Sequence, residues 1–227
     1  MRGRRYYGMP LTDVEVRILG ALIEKEATTP DAYPLSLNAL TTACNQTSNR
    51  DPVMDLSEDQ VKWAVNSLRQ QSLVRAVQTS GSRVMKFRHL VDEKLSLDRP
   101  AVAIMCVLML RGAQTAGEIR SRTTRLAELT GADDIEGVLT QLAERGLAMQ
   151  LPTRPGQREA RYAQLLSGPS VAADEREAAV ERVGAGLPVE ARTQTDRVAA
   201  LEATVERLER ELGELRTRFE EFARQFG

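Results

Sequence analysis

The chain has 227 residues, 42% hydrophobic, 28% charged and only 4% aromatic, an ordinary balance for a soluble protein with aliphatic, helix-rich cores. That length suits two small domains and an extension better than one large domain. With 31 basic against 32 acidic residues the formal net charge is −1, which excludes a bulk electrostatic attraction to nucleic acid and counts against a DNA-coating role.

Met1 to Pro10 carries three arginines and no apolar core of the kind a secretion signal needs, and reads as a basic arm. Thr12 and Glu15 then form a capping-box pattern, and Val14, Ile18, Leu19, Leu22 and Ile23 follow helical spacing to about Glu26. After the proline-bounded turn "TTPDAYP", Ser36 caps a second helix with Leu37, Leu40 and Cys44 on one face. Ser57 and Gln60 open a third, with Val61, Ala64, Val65 and Leu68 inward. The β-prone runs "LVRAVQ" and "RVMKFRH", joined through "TSGS", read as a hairpin. Three helices and a hairpin is the order of a winged helix.

The same order returns downstream. Arg99 to Arg111 is predicted as a helix ended by Gly112, and its run "AVAIMCVLML" is too short to cross a membrane, which takes about 20 residues, so it reads as a buried core helix. Thr115 with Glu118 boxes the next helix, and Asp133 or Asp134 caps a third that Gly146 stops. The strands "LAMQLP" and "REARYAQLL" follow, turning at Pro155 and Gly156. Val61, Val65, Leu68 and Leu73 recur as Ile135, Leu139, Leu142 and Leu147 at a constant offset of 74, as expected of a tandem duplication with each copy burying its own aliphatic residues. The first copy is 14 residues longer between helix one and helix three, and the surplus is expected near "TTACNQTSNRDPVMDL", Thr41 to Leu56.

The stretches "EKEATTPDAYPLSLNALTTACNQTSNRDPVM", "LMLRGAQTAGEIRSR" and "RPGQREARYAQLL" together resemble the YceH-like family of uncharacterised bacterial proteins, over about Leu11 to Leu166. The resemblance implies two winged helices in tandem followed by a coiled coil. It implies no activity, cofactor or catalytic residue, and fold analogy cannot supply one.

Chemistry is sparse. Cys44 and His89 form the one conceivable Cys/His pair, but Cys44 shares an inward face with Leu37 and Leu40, and reads as a small core hydrophobe. Two distant cysteines, Cys44 and Cys106, and one histidine offer no zinc-ligand spacing and no disulfide framework, consistent with a reducing cytoplasm. No glycine-rich phosphate loop occurs. The reading is a non-enzymatic chain without cofactor or metal.

Two readings of Thr41–Leu56 stand. Asn45, Asn49 and Arg50 suit contacts to base edges or phosphates. They equally suit a structural buckle, with Arg50 paired to Asp51 or Asp55. The third helices argue against ordinary groove insertion: Glu58 and Asp59 occupy the first turn of one, and "DDIEGVLTQLAER" carries four acids against one arginine. Positive charge gathers elsewhere, at Arg83, Lys86 and Arg88 in the first wing, Arg154, Arg158 and Arg161 in the second, and Arg120, Arg122 and Arg125 on the second copy's helix two. Lys86 and Arg88 share a strand face that can straddle a phosphate backbone, whereas Arg120 and Arg122 equally suit a fastening to the facing copy through Glu118 or a neighbouring acid.

Beyond Leu166 the composition turns to Ala, Glu, Gly and Pro, a linker. Val198, Leu201, Val205, Leu208, Leu212, Leu215, Phe219, Phe222 and Phe226 then alternate steps of 3 and 4, a coiled-coil seam about 43 Å long that favours a parallel homodimer. An amphipathic helix folded back on the body is the alternative. The expected organisation is a mainly α fold with small β-hairpins: an arm at 1–10, winged helices at 11–94 and 95–167, a linker at 168–195 and a coiled-coil helix at 196–227. Function divides between a DNA-binding regulator or chromosome-associated factor, with duplex DNA as partner, and a protein-interaction adaptor working through its acidic third helices and coiled coil. No membrane association is expected.

Overall fold

The computed structural model describes residues 9–78, 84–127, 135–153 and 159–168, all within one compact unit. The basic arm up to Gly8, Arg83, Arg154, Arg158, the Asp133 and Asp134 cap, the Pro155 and Gly156 turn, the linker from Pro169 and the whole heptad seam lie outside the described residues.

Helix α1 (Asp13–Thr28) leads through a 3-10 turn (Pro30–Ala32) to β1 (Leu35–Ser36), α2 (Leu37–Cys44), α3 (Glu58–Gln70), β2 (Val74–Gln78) and β3 (Met85–His89). A short α4 (Val91–Leu95) connects to α5 (Arg99–Arg111), β4 (Gln114–Thr115), α6 (Ala116–Thr123), α7 (Ile135–Glu144), β5 (Ala148–Gln150) and β6 (Arg161–Gln164). Two antiparallel three-stranded sheets result, ordered β1-β3-β2 and β4-β6-β5. This mixed, mainly helical architecture is compatible with the winged-helix class.

Local chemistry sets the helix starts. Thr12, Ser57 and Thr115 close full capping boxes with Glu15, Gln60 and Glu118, each satisfying otherwise orphaned N–H groups. At the other end of α5 the chain leaves through Gly112 at φ 66°, a left-handed turn that glycine adopts without steric penalty. The third strand of each sheet is a feature the sequence did not announce. Ser36 and Thr115 cap their helices in extended conformation, φ −67° and −73°, and the same extended residues pair with the neighbouring strand, Ser36 opposite Lys86 and Thr115 opposite Arg161.

Nor does the extra length of the first half fall mainly in Thr41–Leu56. The caps Ser36 and Thr115 differ by 79 positions and the anchors Val61 and Ile135 by 74. Five surplus residues therefore lie between α2 and α3, and, counted from the caps Thr12 and Asp98, seven more precede Ser36, where the 3-10 turn is inserted.

The expectation of two separately packed cores gives way to one shared core. Residues 15–23 of α1 and 103–110 of α5 are buried without interruption, and a helix buried on every side needs partners from both halves. The two helices meet at Gly20, where an added Cβ would lie 2.8 Å from Leu110 Cγ and 3.2 Å from Met109 Cβ. The Cys106 thiol donates to the Gly20 carbonyl at 3.3 Å. One continuous cluster of buried side chains consequently runs from Leu11 to Leu166. Backbone bonds reinforce it: Asp51 N–H to Leu110 C=O at 2.9 Å and Leu11 N–H to Leu166 C=O at 2.8 Å. Arg145 adds bonds from beyond α7 to the carbonyls of Leu95 and Ser96.

Candidate functional site

Thr41–Leu56 is organised around two buried guanidinium groups. Arg50, whose side chain is wholly enclosed, grips the Glu24 carboxylate of α1 with both Nη atoms, at 3.1 and 2.6 Å. It also donates to the carbonyls of Ala43, at 3.2 and 2.8 Å, and Asn49, at 2.9 Å, and to Gln46 Oε1 at 3.0 Å. From the opposite side, Arg17 of α1 donates to the carbonyls of Cys44 at 3.3 Å and Pro52 at 2.6 Å. Arg17 has no carboxylate partner among the described residues, and burial, reinforced by the charge of Arg50, lowers its pKa. Its Nε atom is buried without a hydrogen bond. Asn45 completes the fastening through two bonds to Leu56, Nδ2 to C=O at 2.8 Å and N–H to Oδ1 at 2.9 Å. The end of α2 is thereby tied to the approach to α3.

The predicted pairing of Arg50 with Asp51 or Asp55 is thus replaced by pairing with Glu24. Asp51 and Asp55 are exposed, and the buried guanidinium needs a carboxylate that follows it out of water. As placed, Arg50 and the Asn45 amide are committed to internal partners and do not face an external ligand. Asn49 differs. It is exposed, takes φ 59°, and accepts a hydrogen bond from Arg111 of α5.

Cys44 is completely buried, and burial pushes its thiol up to about 12, so it is not a thiolate at neutral pH. Cys106 is likewise buried and its pKa raised by burial. His89 is held elsewhere. Val91 N–H donates to Nδ1 at 3.2 Å, which leaves Nε2 to donate to Glu26 at 2.7 Å. Among the described residues no group of three or more His, Cys, Asp or Glu could hold a metal, and no helix is long and apolar enough to cross a membrane.

Among the described residues the predicted cations meet different surroundings. Lys86 and Arg88 alternate with the buried Phe87 and His89, so they share the outward face of β3. Arg88, however, is engaged by Glu93 of α4 at 2.9 Å, with Arg75 at 3.9 Å from the same carboxylate. In the second half Arg122 approaches Glu118 at 3.5 Å. Burial acts to raise the Glu118 pKa, but the Thr115 N–H, Arg122 and Arg161 outweigh it, and the net shift is downward. Arg120 is exposed. Arg122 and Arg125 line a cleft of about 410 Å³ with Lys25, Ser48, Asn49 and Arg111.

Sequence reasoning overlooked the outward stripe of α3. Trp63 is the only tryptophan in the chain and is 77% exposed. It lies on the face opposite Val61, Val65 and Leu68, with exposed Lys62, Asn66 and Arg69 around it, and Arg69 donates to Asn66 at 3.2 Å. The inward heptad-like spacing already implied these outward positions; attention to the acidic first turn alone hid them.

Over the described residues these features define a mainly helical protein with two small antiparallel sheets, whose most distinctive sequence stretch is fastened by two buried guanidinium groups. The chain belongs to the DUF480 family: the model described as "Protein of unknown function, DUF480" matches residues 11–157. A UPF0502 protein of Geobacter sulfurreducens is 49% identical over 219 residues, covering 95% of this chain and 98% of that protein. UPF0502 proteins of Solibacter usitatus and Vibrio vulnificus are 45% and 46% identical over 216 residues. The first comparison covers 95% of this chain and 98% of the relative, the second 91% and 96%. The kinship suggested by the YceH-like motifs therefore extends over most of the chain.

Proposed function

We propose that this chain is a non-enzymatic cytoplasmic protein of two tandem winged helices, spanning 11–94 and 95–167, that contacts duplex DNA as a regulator or chromosome-associated factor. The observation that carries the reading is the outward stripe of α3: Trp63, 77% exposed, with Lys62, Asn66 and Arg69. In helix-turn-helix proteins this helix faces the major groove. Guanidinium, ammonium and amide groups supply the donors that phosphates and base edges accept. Glu58 and Asp59 oppose phosphate, so contact is centred on the second and third turns, and Lys86 on the outward face of β3 supplies a further cation. The seam from Val198 to Phe222 joins two copies in parallel, which doubles the surface offered to one duplex.

Because Trp63 is the only tryptophan, its fluorescence reports directly on this face. Titration with a short duplex at low salt is expected to change the emission saturably. Affinity is expected to fall about 30-fold between 50 and 200 mM salt, the loss for roughly three phosphate contacts. An unchanged spectrum at low salt would remove duplex DNA as the ligand.

One observation favours a second reading, a protein-binding adaptor. Val53 is 55% exposed and the first turn of α3 presents the exposed carboxylates of Glu58 and Asp59, and exposed tryptophans are frequent anchors of protein interfaces. Under that reading α3 receives a partner protein, and Trp63 ignores duplex at every salt concentration.

A further inference from the structure

The cleft between α1, the turn at residues 46–49, α5 and α6 is lined by more cations than the carboxylates around it engage. Lys25, Arg111, Arg122 and Arg125 line it, and among the described residues Glu24 is the one carboxylate in its lining. Glu24 is already spent, since both of its oxygens are held by Arg50, and Lys25 reaches it only at 4.0 Å. Arg111 has a neutral partner, the Asn49 side-chain oxygen. Among the described residues, neither Arg111 nor Arg125 has a carboxylate within 4.0 Å. Arg122 has Glu118 at 3.5 Å, but like charges brought together with so little counter-charge still repel one another. Arg111 registers this: burial first, and Arg122 second, lower its pKa.

The cleft is not purely polar. Val107, Leu110 and Leu126 contribute apolar lining, while Ser48 and Asn49 bring a hydroxyl and an amide from the Thr41–Leu56 stretch. A volume of about 410 Å³ lies in the range of small-molecule sites, which are concave, largely apolar and carry a few convergent polar groups. Arginine matches phosphate best, because its planar fork donates two parallel hydrogen bonds.

We propose that this cleft binds a small phosphorylated organic molecule, its phosphate received by Arg111, Arg122 and Arg125 and its apolar body seated against Val107, Leu110 and Leu126. A duplex backbone is a poorer occupant, since it presents phosphates without an apolar body to cover that lining. The site lies on different residues from the outward stripe of α3 and stands or falls independently of it. Its walls come from both halves, so an occupant would brace α1 and the 46–49 turn against α5 and α6.

The test is isothermal titration of the full chain at low salt with AMP, phenyl phosphate and inorganic phosphate. AMP or phenyl phosphate is expected to bind saturably, and more tightly than inorganic phosphate. The double variant Arg122→Gln/Arg125→Gln is expected to weaken that binding about tenfold or more, the loss of one or two charge-assisted hydrogen bonds. Its unchanged melting temperature would show that the fold is intact, and Lys94→Gln, at an exposed position outside the cleft, should bind as the parent does. The proposal is overturned if none of the three probes saturates below about 10 mM, or if the double variant binds them undiminished. It is also overturned if inorganic phosphate binds as tightly as the organic phosphates, or if only a short duplex loses affinity in that variant. Trp63 emission with duplex, measured in the same variant, separates failure of this site from failure of the α3 reading.

Discussion

Replacing Arg50 with alanine is expected to destabilise the chain by about 3–5 kcal/mol, the usual result of removing one partner from a buried ion pair. The guanidinium is fully enclosed and the Glu24 side chain is only 13% exposed. Alanine strands that carboxylate and leaves the Asn49 carbonyl and one acceptor set of Ala43 without their donor. Arg50→Lys is expected to lose about 2 kcal/mol, because a single ammonium cannot serve five acceptor atoms from one position. Urea denaturation measures both, and a double-mutant cycle with Glu24→Gln should show coupling of at least about 1 kcal/mol. Additive losses at the two positions would mean that the pair does not fasten the stretch, and Arg17 with Asn45 would be left to hold it.

Enlarging Gly20 is expected to separate α1 from α5. Glycine in a helix interior is normally unfavourable, and alanine in its place gains about 1 kcal/mol of helix propensity. Here the new Cβ would meet Leu110 Cγ at 2.8 Å, within a side chain that is itself 3% exposed and closely surrounded. Overpacking of this kind costs about 1–3 kcal/mol, so Gly20→Ala is expected to be destabilising by about 1 kcal/mol net. Gly20→Val, with two further methyls and β-branching, is expected to lose about 3 kcal/mol or more. Stability measured in urea decides it: a Gly20→Ala variant more stable than its parent would show that α5 gives way freely and that the close approach is incidental.

How much of this was legible in the sequence follows from the range of the interactions involved. Caps act over three residues, so Thr12 with Glu15, Ser57 with Gln60 and Thr115 with Glu118 placed three helices directly. Helix α5 was read with its observed limits because Pro100 and Gly112 bracket an uninterrupted apolar run. Strands β1 and β4 were missed because two residues cannot display an alternation. α4, five residues with no side-chain cap, left no signature either. The partner of Arg50 lies 26 positions away, beyond any local pattern, and nearer carboxylates offered a false choice. Arg17 was passed over inside "VRILGALI" although a lone cation in an apolar run marks a buried polar site. For the cleft, Arg122 and Arg125 were recognised as phosphate-competent, but only folding brings them beside Arg111 and Lys25.

The most direct test of the shared core is native-state hydrogen exchange of the full chain, followed by mass spectrometry across α1 and α5 at increasing sub-denaturing urea. If these helices form one cooperative core, peptides covering residues 13–28 and 99–111 will show the same highest opening free energy and lose protection together. Exchange of one helix at markedly lower free energy, while the other stays protected, would mean that the halves open separately, and the single-core account would be wrong.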